Sequence, residues 1–373
     1  MLGALGLTAP AAAQGTQWKL LLSASESYHT NVRLTAPAVD AFATRLTVRL
    51  SKGFGGPRWT LGLAGSTQKS FFHGRATPRP SGLFYTASGE FGFQISESAS
   101  FNIVDRFRSA YTGELLDFVE FDDDVVLPLN RQKRNHLRAA LGIERSPTLT
   151  LGIPVSYDTS LFQPDDVLQP RLANGDRFAT GIGLSRKFSD ETTASLNYTY
   201  ARSDQTLMFA ESHSVAFGVA QALGEFTNLG IGIGAGLRET NQGRRYVLGG
   251  GASIGRQFEN FSFNLAYRRN LGALFGLGRE VINNSIKLSH HRQLSRNVAI
   301  NLSGAYVRTR DPLDDSFSYD AWYANAGLNR SLSQSLNLHA GYHFGKRSPL
   351  PGEIGRQFQT HRASIQLGWN TAF

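Results

Sequence analysis

RASIQLGWNTAF, residues 362–373, is the stretch that decides the fold. Ala363, Ile365, Leu367, Trp369, Thr371 and Phe373 fall on one side of an extended chain, and Arg362, Ser364, Gln366, Gly368 and Asn370 on the other. A period of two, apolar against polar, marks a strand that separates two environments. A soluble sheet shows the same alternation. What singles this segment out is a Trp near its end and a Phe as its last residue, on the apolar side. Apolar-outward, polar-inward strands of this length build transmembrane barrels.

Composition narrows the class. A chain of 373 residues holds two ordinary domains or one long barrel. The hydrophobic fraction is 41%, and no run of about 18 apolar residues occurs, which excludes helical membrane spans. Alternation hides the apolar content of a barrel, so a mean hydropathy of −0.24 does not exclude a membrane protein. With no cysteine among its residues, the chain has no disulfide, no Cys-ligated metal and no thiol nucleophile, which is compatible with an oxidising periplasmic route. The formal charge is +9. A nucleic-acid binder concentrates its basic residues in a patch. Here Lys and Arg are spread over the whole length, mostly singly within strand-like segments, which favours a pore wall or a lipopolysaccharide-facing rim and predicts no nucleic-acid partner.

MLGALGLTAPAAAQG opens the chain as the apolar part and cleavage site of a secretory signal, with Ala11-Ala12-Ala13 before Gln14 and no basic n-region. Residues 1–13 are therefore expected to be a partial signal peptide and 14–373 one barrel. From Gln17 onward, alternating segments of about 10 to 15 residues follow one another, a length suited to tilted membrane crossing. Leu46, Val48 and Leu50 against Arg45, Thr47 and Arg49 are typical. Short turns are expected at 53–57, 96–99, 146–148, 189–192, 224–227, 259–260, 295–297 and 333–335. Longer polar connections are expected at 30–38, 72–82, 113–132, 163–176, 203–211, 240–244, 271–280, 310–318 and 347–355. Alternating short turns and long loops predict an all-β, single transmembrane antiparallel up-and-down β-barrel of about 18 strands, or 16 if two weak segments are over-split. Both termini then face the periplasm.

Aromatic residues mark two levels. Trp18, Trp59, Phe101 and Phe261 begin upward strands on the apolar face, and Trp369 with Phe373 ends the last downward one, forming one girdle. At the opposite level an aromatic is followed two residues on by a cation: Tyr200 and Arg202, Tyr267 and Arg269, Tyr306 and Arg308, Phe344 and Lys346. Those four cations are expected at the outer interface, facing lipid phosphates.

The inferred inner face is small and polar, with Gly230, Gly232, Gly234 and Gly236 in one strand and Gly249, Gly251 and Ser253 in another. Its charged members include Arg45, Arg49, Arg106, Arg108, Arg138, Arg268, Lys287 and Arg362, with Glu90 and Asp158 among the acidic exceptions. About 18 strands leave a lumen that is water-filled or plugged. Fixed positive charge on its wall favours anions in transit. The alternative is that these cations pair with loop acids folded into the lumen. Asp117, Glu120, Asp122, Asp123 and Asp124 cluster in the longest loop, as a constriction, a divalent-cation site or a solvated loop; they lack the spacing and Gly of a defined calcium loop.

Ser289 with His290 and His291, His213 with Ser214, and His339 with His343 are the candidates for chemistry. A lipid hydrolase needs Ser and His together on the lipid-facing side, whereas Ser289 and His291 fall on the inner face. His339 and His343 lie about 13 Å apart on a strand, too far to chelate one metal. No catalytic residue, metal or cofactor is expected.

SESYHTNVRLT, residues 25–35, resembles the first strand and loop of the outer-membrane "beta-barrel porin 2" group, whose members are often associated with exopolysaccharide clusters. Glu26, Tyr28, Asn31 and Val32 carry the likeness, while His29 and Thr30 stand where the group has Asn-Asp character. TRLTVRLSKGFGGPRWTLGL and LNYTYARSD also resemble its strands, and the terminal aromatic resembles the closing strand of bacterial outer-membrane barrels. That likeness implies that Trp369 and Phe373 act as the signal for the barrel-assembly machinery. It also implies passive export or uptake across the outer membrane, including that of a polysaccharide. The expected function is a porin-like conduit with a partly cationic lumen, with outer-membrane lipids and lipopolysaccharide as partners. The alternative is a non-enzymatic assembly or secretion factor for a surface polymer or lipoprotein, working with a periplasmic export partner.

Overall fold

The computed structural model describes residues 17–30, 40–73, 83–111, 131–163, 174–206, 208–241, 243–274, 279–311, 318–348 and 358–372. They form eighteen strands: β1 (Lys19–His29), β2 (Ala41–Gly55), β3 (Trp59–His73), β4 (Leu83–Ser96), β5 (Ala99–Tyr111), β6 (Arg131–Ser146), β7 (Leu149–Gln163), β8 (Gly175–Lys187) and β9 (Thr192–Gln205) make the first half. The second half is β10 (Met208–Leu223), β11 (Thr227–Thr240), β12 (Gly243–Gln257), β13 (Phe261–Leu274), β14 (Arg279–Ser295), β15 (Val298–Arg310), β16 (Ser318–Ser331), β17 (Leu336–Arg347) and β18 (Phe358–Ala372).

Each strand pairs antiparallel with the one before it, and β1 pairs with both β2 and β18. The sheet is therefore a closed barrel of 18 strands, the larger of the two expected numbers. Closure is what lets strands cross a bilayer, because the ladder satisfies backbone groups that lipid cannot. The decisive segment is the closing strand: Arg362, Ser364, Gln366 and Gly368 stand opposite His29, Ser27, Ser25 and Ser23.

The two faces separate as the alternation requires. Ile365 is 60% exposed, Leu367 45% and Trp369 42%, all on the outside. Leu196, Ile286 and Leu302 continue this apolar belt around the barrel. In water such a surface would drive association; facing lipid, it is what holds the barrel in the membrane. The interior carries Ser, Thr, Asn, Gln, Gly and cations at the alternate positions.

One end is closed by short turns with a shared device. The hydroxyls of Ser96, Ser146, Ser189, Ser295 and Ser333 accept hydrogen bonds of 3.2–3.3 Å from the backbone N–H two residues on. A short polar side chain that bonds its own backbone in this way stabilises a tight reversal. Gly224 supplies a φ of +72° between β10 and β11. All eight expected short turns fall at this end.

Two connections differ from expectation. Long loops at 203–211 and 240–244 are strand almost throughout: β9 runs to Gln205 and β10 starts at Met208, while β11 ends at Thr240 and β12 starts at Gly243. Ser203 and Gln205 are polar because they face inward, where they are buried, and not because they are in a loop.

Inner-face glycines let the wall bend. A Cβ at Gly234 would sit 2.9 Å from the Val215 carbonyl oxygen, and one at Gly251 only 2.6 Å from that of Tyr267. No side chain fits at either approach, so Gly234 and Gly251 are required by the packing between strands, whereas a Cβ at Gly232 would make ordinary contact at 3.5 Å.

Candidate functional site

The lumen holds a cavity of about 770 Å³ whose lining runs from Ser262 on β13, through β18 and β1, to Arg108 on β5. Arg45, Arg49, Arg108 and Arg362 line it among Ser, Thr, Asn, Gln and His side chains. The other four predicted cations fall on the same inner face by register. Arg106 is opposite Ser88, Arg138 opposite Ser156, Arg268 opposite Ser285, and Lys287 opposite Ala266. Arg49, Arg106 and Arg138 are exposed to the lumen. Arg45, Arg108, Arg268, Lys287 and Arg362 each have a polar, ionic or ring partner.

The register adds cations that the sequence did not offer up. Arg134, Arg177, Arg238, Arg245 and Arg347 also face inward, opposite Ser160, Asp158, Ser212, Arg238 and Ala321 in turn. They lie near strand ends at the long connections, where a polar residue reads equally well as loop.

Of the inner acids, Asp158 is locally cancelled. It is buried, hydrogen-bonded to Nδ1 of His136, and 3.6 Å from Arg134. Glu90 is exposed, opposite Gly62 and Val104. By register, the inner-face positions named above carry more cations than acids.

Towards the long connections the interior is packed and polar. Arg45, Arg238 and Arg347 are only 5%, 3% and 6% exposed. Gln132 donates to Ser160 at 2.6 Å, and Thr309 to Asn283 at 2.8 Å.

Three histidines on the inner face share one geometry. His291, His339 and His343 each bring Nδ1 to the Oδ1 of the asparagine directly opposite, Asn301, Asn329 and Asn325, at 2.6, 2.7 and 2.5 Å. An amide oxygen only accepts, so the proton is on Nδ1. Asn325 is fixed in turn by donating to Ser303 at 3.2 Å. Ser289 stands opposite Asn264 and Ser303, and His291 is engaged by Asn301, so no Ser–His couple forms there. Among the described residues no three His, Asp or Glu side chains are grouped as metal ligands. Asp117, Glu120, Asp122, Asp123, Asp124 and Phe373 lie outside the described residues.

On the outer face, the four expected interface cations are on the lipid side, but two are not free charges. Arg202 is 3.8 Å from Glu211, which also accepts from the Tyr200 hydroxyl at 3.3 Å. Arg308 is 3.7 Å from Asp320, which accepts from Tyr306 at 2.9 Å. Each acid comes from the next strand, so only the register reveals it. Arg269 donates to the Leu248 carbonyl at 3.0 Å, and Lys346 stands opposite Trp322. At the short-turn level, Lys52 lies 4.9 Å from the rings of both Trp18 and Phe54, and Arg256 lies 4.4 Å from Phe258. Aromatic rings with cations beside them suit a membrane–water boundary.

No family model and no curated protein matches the chain. The resemblance to the beta-barrel porin 2 group therefore rests on the residues quoted for it. Among solved structures, the chain is similar to OpdK from Pseudomonas aeruginosa with vanillate, at 11% identity and a TM-score of 0.52, covering 95% of this chain and 99% of that one. OccAB4 from Acinetobacter baumannii is similar at 10% identity and a TM-score of 0.51, covering 97% and 100%. OccK2 (OpdF) from Pseudomonas aeruginosa in complex with glucuronate is similar at 10% identity and a TM-score of 0.52, covering 96% and 100%. At these identities the likeness is one of fold: the chain is an outer-membrane β-barrel.

Proposed function

We propose that this outer-membrane barrel is a passive channel whose lumen favours small anionic solutes. The observation that carries the proposal is the inner face, where cations from Arg45 around to Arg362 outnumber the acids and Asp158 is already neutralised. Vanillate and glucuronate, named with two of the similar structures, are both carboxylates, which agrees with this choice of solute. The buried polar side chains towards the long connections, Arg238 and Arg347 among them, favour small solutes over the polymer that the beta-barrel porin 2 resemblance implies. Residues 1–13 serve as the targeting segment, and Trp369 with Phe373 as the mark read by the assembly machinery.

Single-channel recording on charge-reversed variants tests the role of the wall. Arg49→Glu, Arg106→Glu and Arg138→Glu together are expected to move the reversal potential in a salt gradient towards cation preference, with circular dichroism showing an intact barrel. An unchanged reversal potential in folded protein removes the wall cations from selectivity. A wild type with no ion-permeable state, co-purifying with a periplasmic protein, would favour the assembly-factor reading instead.

A further inference from the structure

One carboxylate is on the lipid side of the wall, away from both boundaries. Asp105 on β5 stands opposite Gly89 of β4 and Leu137 of β6, in one row with Phe101, Ile103 and Phe107, and it is exposed. Its chain neighbours Val104 and Arg106 turn inward. From the girdle residue Phe101 to Asp105 is four steps of about 3.3 Å on a strand tilted by about 40°, a rise of roughly 10 Å into an apolar band about 25 Å tall. Above it the band continues, with the rings of Tyr85 and Phe107 stacked at 5.8 Å. The other lipid-facing charges named above lie at the two boundaries, Lys52 and Arg256 at one, Arg202 and Arg308 at the other.

An ionisable group at that depth is costly against hydrocarbon and marks a place that meets something other than lipid. Lys and Arg escape by extending to the boundary, but an aspartate side chain is too short. The cross-strand neighbours Gly89 and Leu137 bring no side-chain donor, and neither do Ile103 and Phe107 along the strand. Asn135, the next polar residue on this face, stands opposite Phe107, one lipid-facing pair farther out.

The surface beside Asp105 is low. Gly65 of β3, its partner Ala87, and Gly89 of β4 put almost no side chain on the lipid face. A Cβ at Gly65 would lie 3.7 Å from the Thr86 carbonyl oxygen, and one at Gly89 3.7 Å from Cδ2 of Leu63, both ordinary contacts. The barrel's own packing therefore does not call for glycine at either place, unlike Gly234 and Gly251. Their lack of bulk leaves the Asp105 carboxyl open to close approach from outside.

We infer that Asp105 is the centre of a contact between two copies of this chain, which face each other across β3–β6. Copies in one membrane share one orientation, so a two-fold axis along the membrane normal sets every residue at the depth of its twin. With the axis beside Asp105, the two carboxyl groups meet and hydrogen-bond through a shared proton, because like charges so close do not both ionise. Each shields the other from hydrocarbon. Four strands make a facet about 20 Å wide and about 25 Å tall, so two copies bury roughly 1,000 Å² in all, the size at which specific interfaces begin. The contact is on the outer wall and is independent of the proposed selectivity.

Sedimentation equilibrium of the folded full chain in density-matched detergent tests the assignment. Wild type is expected as a dimer in equilibrium with monomer. Asp105→Leu should raise the dissociation constant at least about tenfold, the loss of one strong hydrogen bond, while unfolding at no lower urea concentration. Asp105→Asn, whose amide both donates and accepts, should dimerise as wild type does. Position is read separately by cross-linking, since the chain has no native cysteine. In lipid vesicles a short bis-maleimide should join copies carrying Ile103→Cys, and should not join copies carrying Leu196→Cys, a site 49% exposed on the lipid face of β9. A monomeric wild type, with Asp105 against lipid or a different protein, overturns the assignment. So do an Asp105→Leu variant that dimerises as wild type does, and equal cross-linking at the two positions.

Discussion

Leu288 and Ser289 are neighbours in β14 with different solvents: Leu288 is 43% exposed on the lipid side, and Ser289 lines the cavity. A charge placed at the first site enters hydrocarbon, and at the second an aqueous lumen. Leu288→Arg is predicted to lower the folding free energy into lipid vesicles by about 2–4 kcal/mol, and Ser289→Arg by much less. Urea titration of both variants measures the difference. This parity is the part of the site that was legible beforehand: once Arg362, Ser364 and Gln366 are placed on one side of their strand, the inner position of Arg45 or Lys287 follows from the same alternation. Arg238, Arg347 and Arg134 escaped because a polar residue near a strand end has no apolar neighbours on both sides to declare its face. Glu211 and Asp320 escaped for another reason: their pairing with Arg202 and Arg308 depends on register between strands, which a single strand's pattern does not contain.

Among the elements, the turns and the glycines behave differently under substitution. Gly251→Val forces a side chain against the Tyr267 carbonyl of β13, whereas a Cβ at Gly53 in β2 meets nothing within 4 Å. Gly251→Val is predicted to destabilise the barrel by about 1–3 kcal/mol, as overpacking does, and Gly53→Val to leave it nearly unchanged. Denaturation midpoints of the two variants provide the comparison. The short turns were readable because serine and glycine declare a reversal locally, with Ser96 and Ser333 bonding the backbone two residues on. The connections at 203–211 and 240–244 were not readable, because inward polarity in Ser203 and Gln205 imitates a loop. The ladder between β12 and β13 stops at Gly250 opposite Arg269, and that too depends on register between strands.

At the scale of the whole molecule, closure of β1 on β18 turns eighteen alternating strands into one apolar exterior and one interior on which polar residues and arginines lie. The belt accounts for residence in the outer membrane, and the interior accounts for the proposed preference for anions. Lys and Arg spread mostly singly over a chain of net charge +9 suit such a wall, and that spread is why no compact basic patch appears in the sequence. The most direct measurement is the zero-current potential of the wild-type channel in a planar bilayer under a potassium chloride gradient. The account predicts a potential of the sign set by chloride passing more readily than potassium. A potential of the opposite sign, or a folded barrel that conducts no ions, would contradict it.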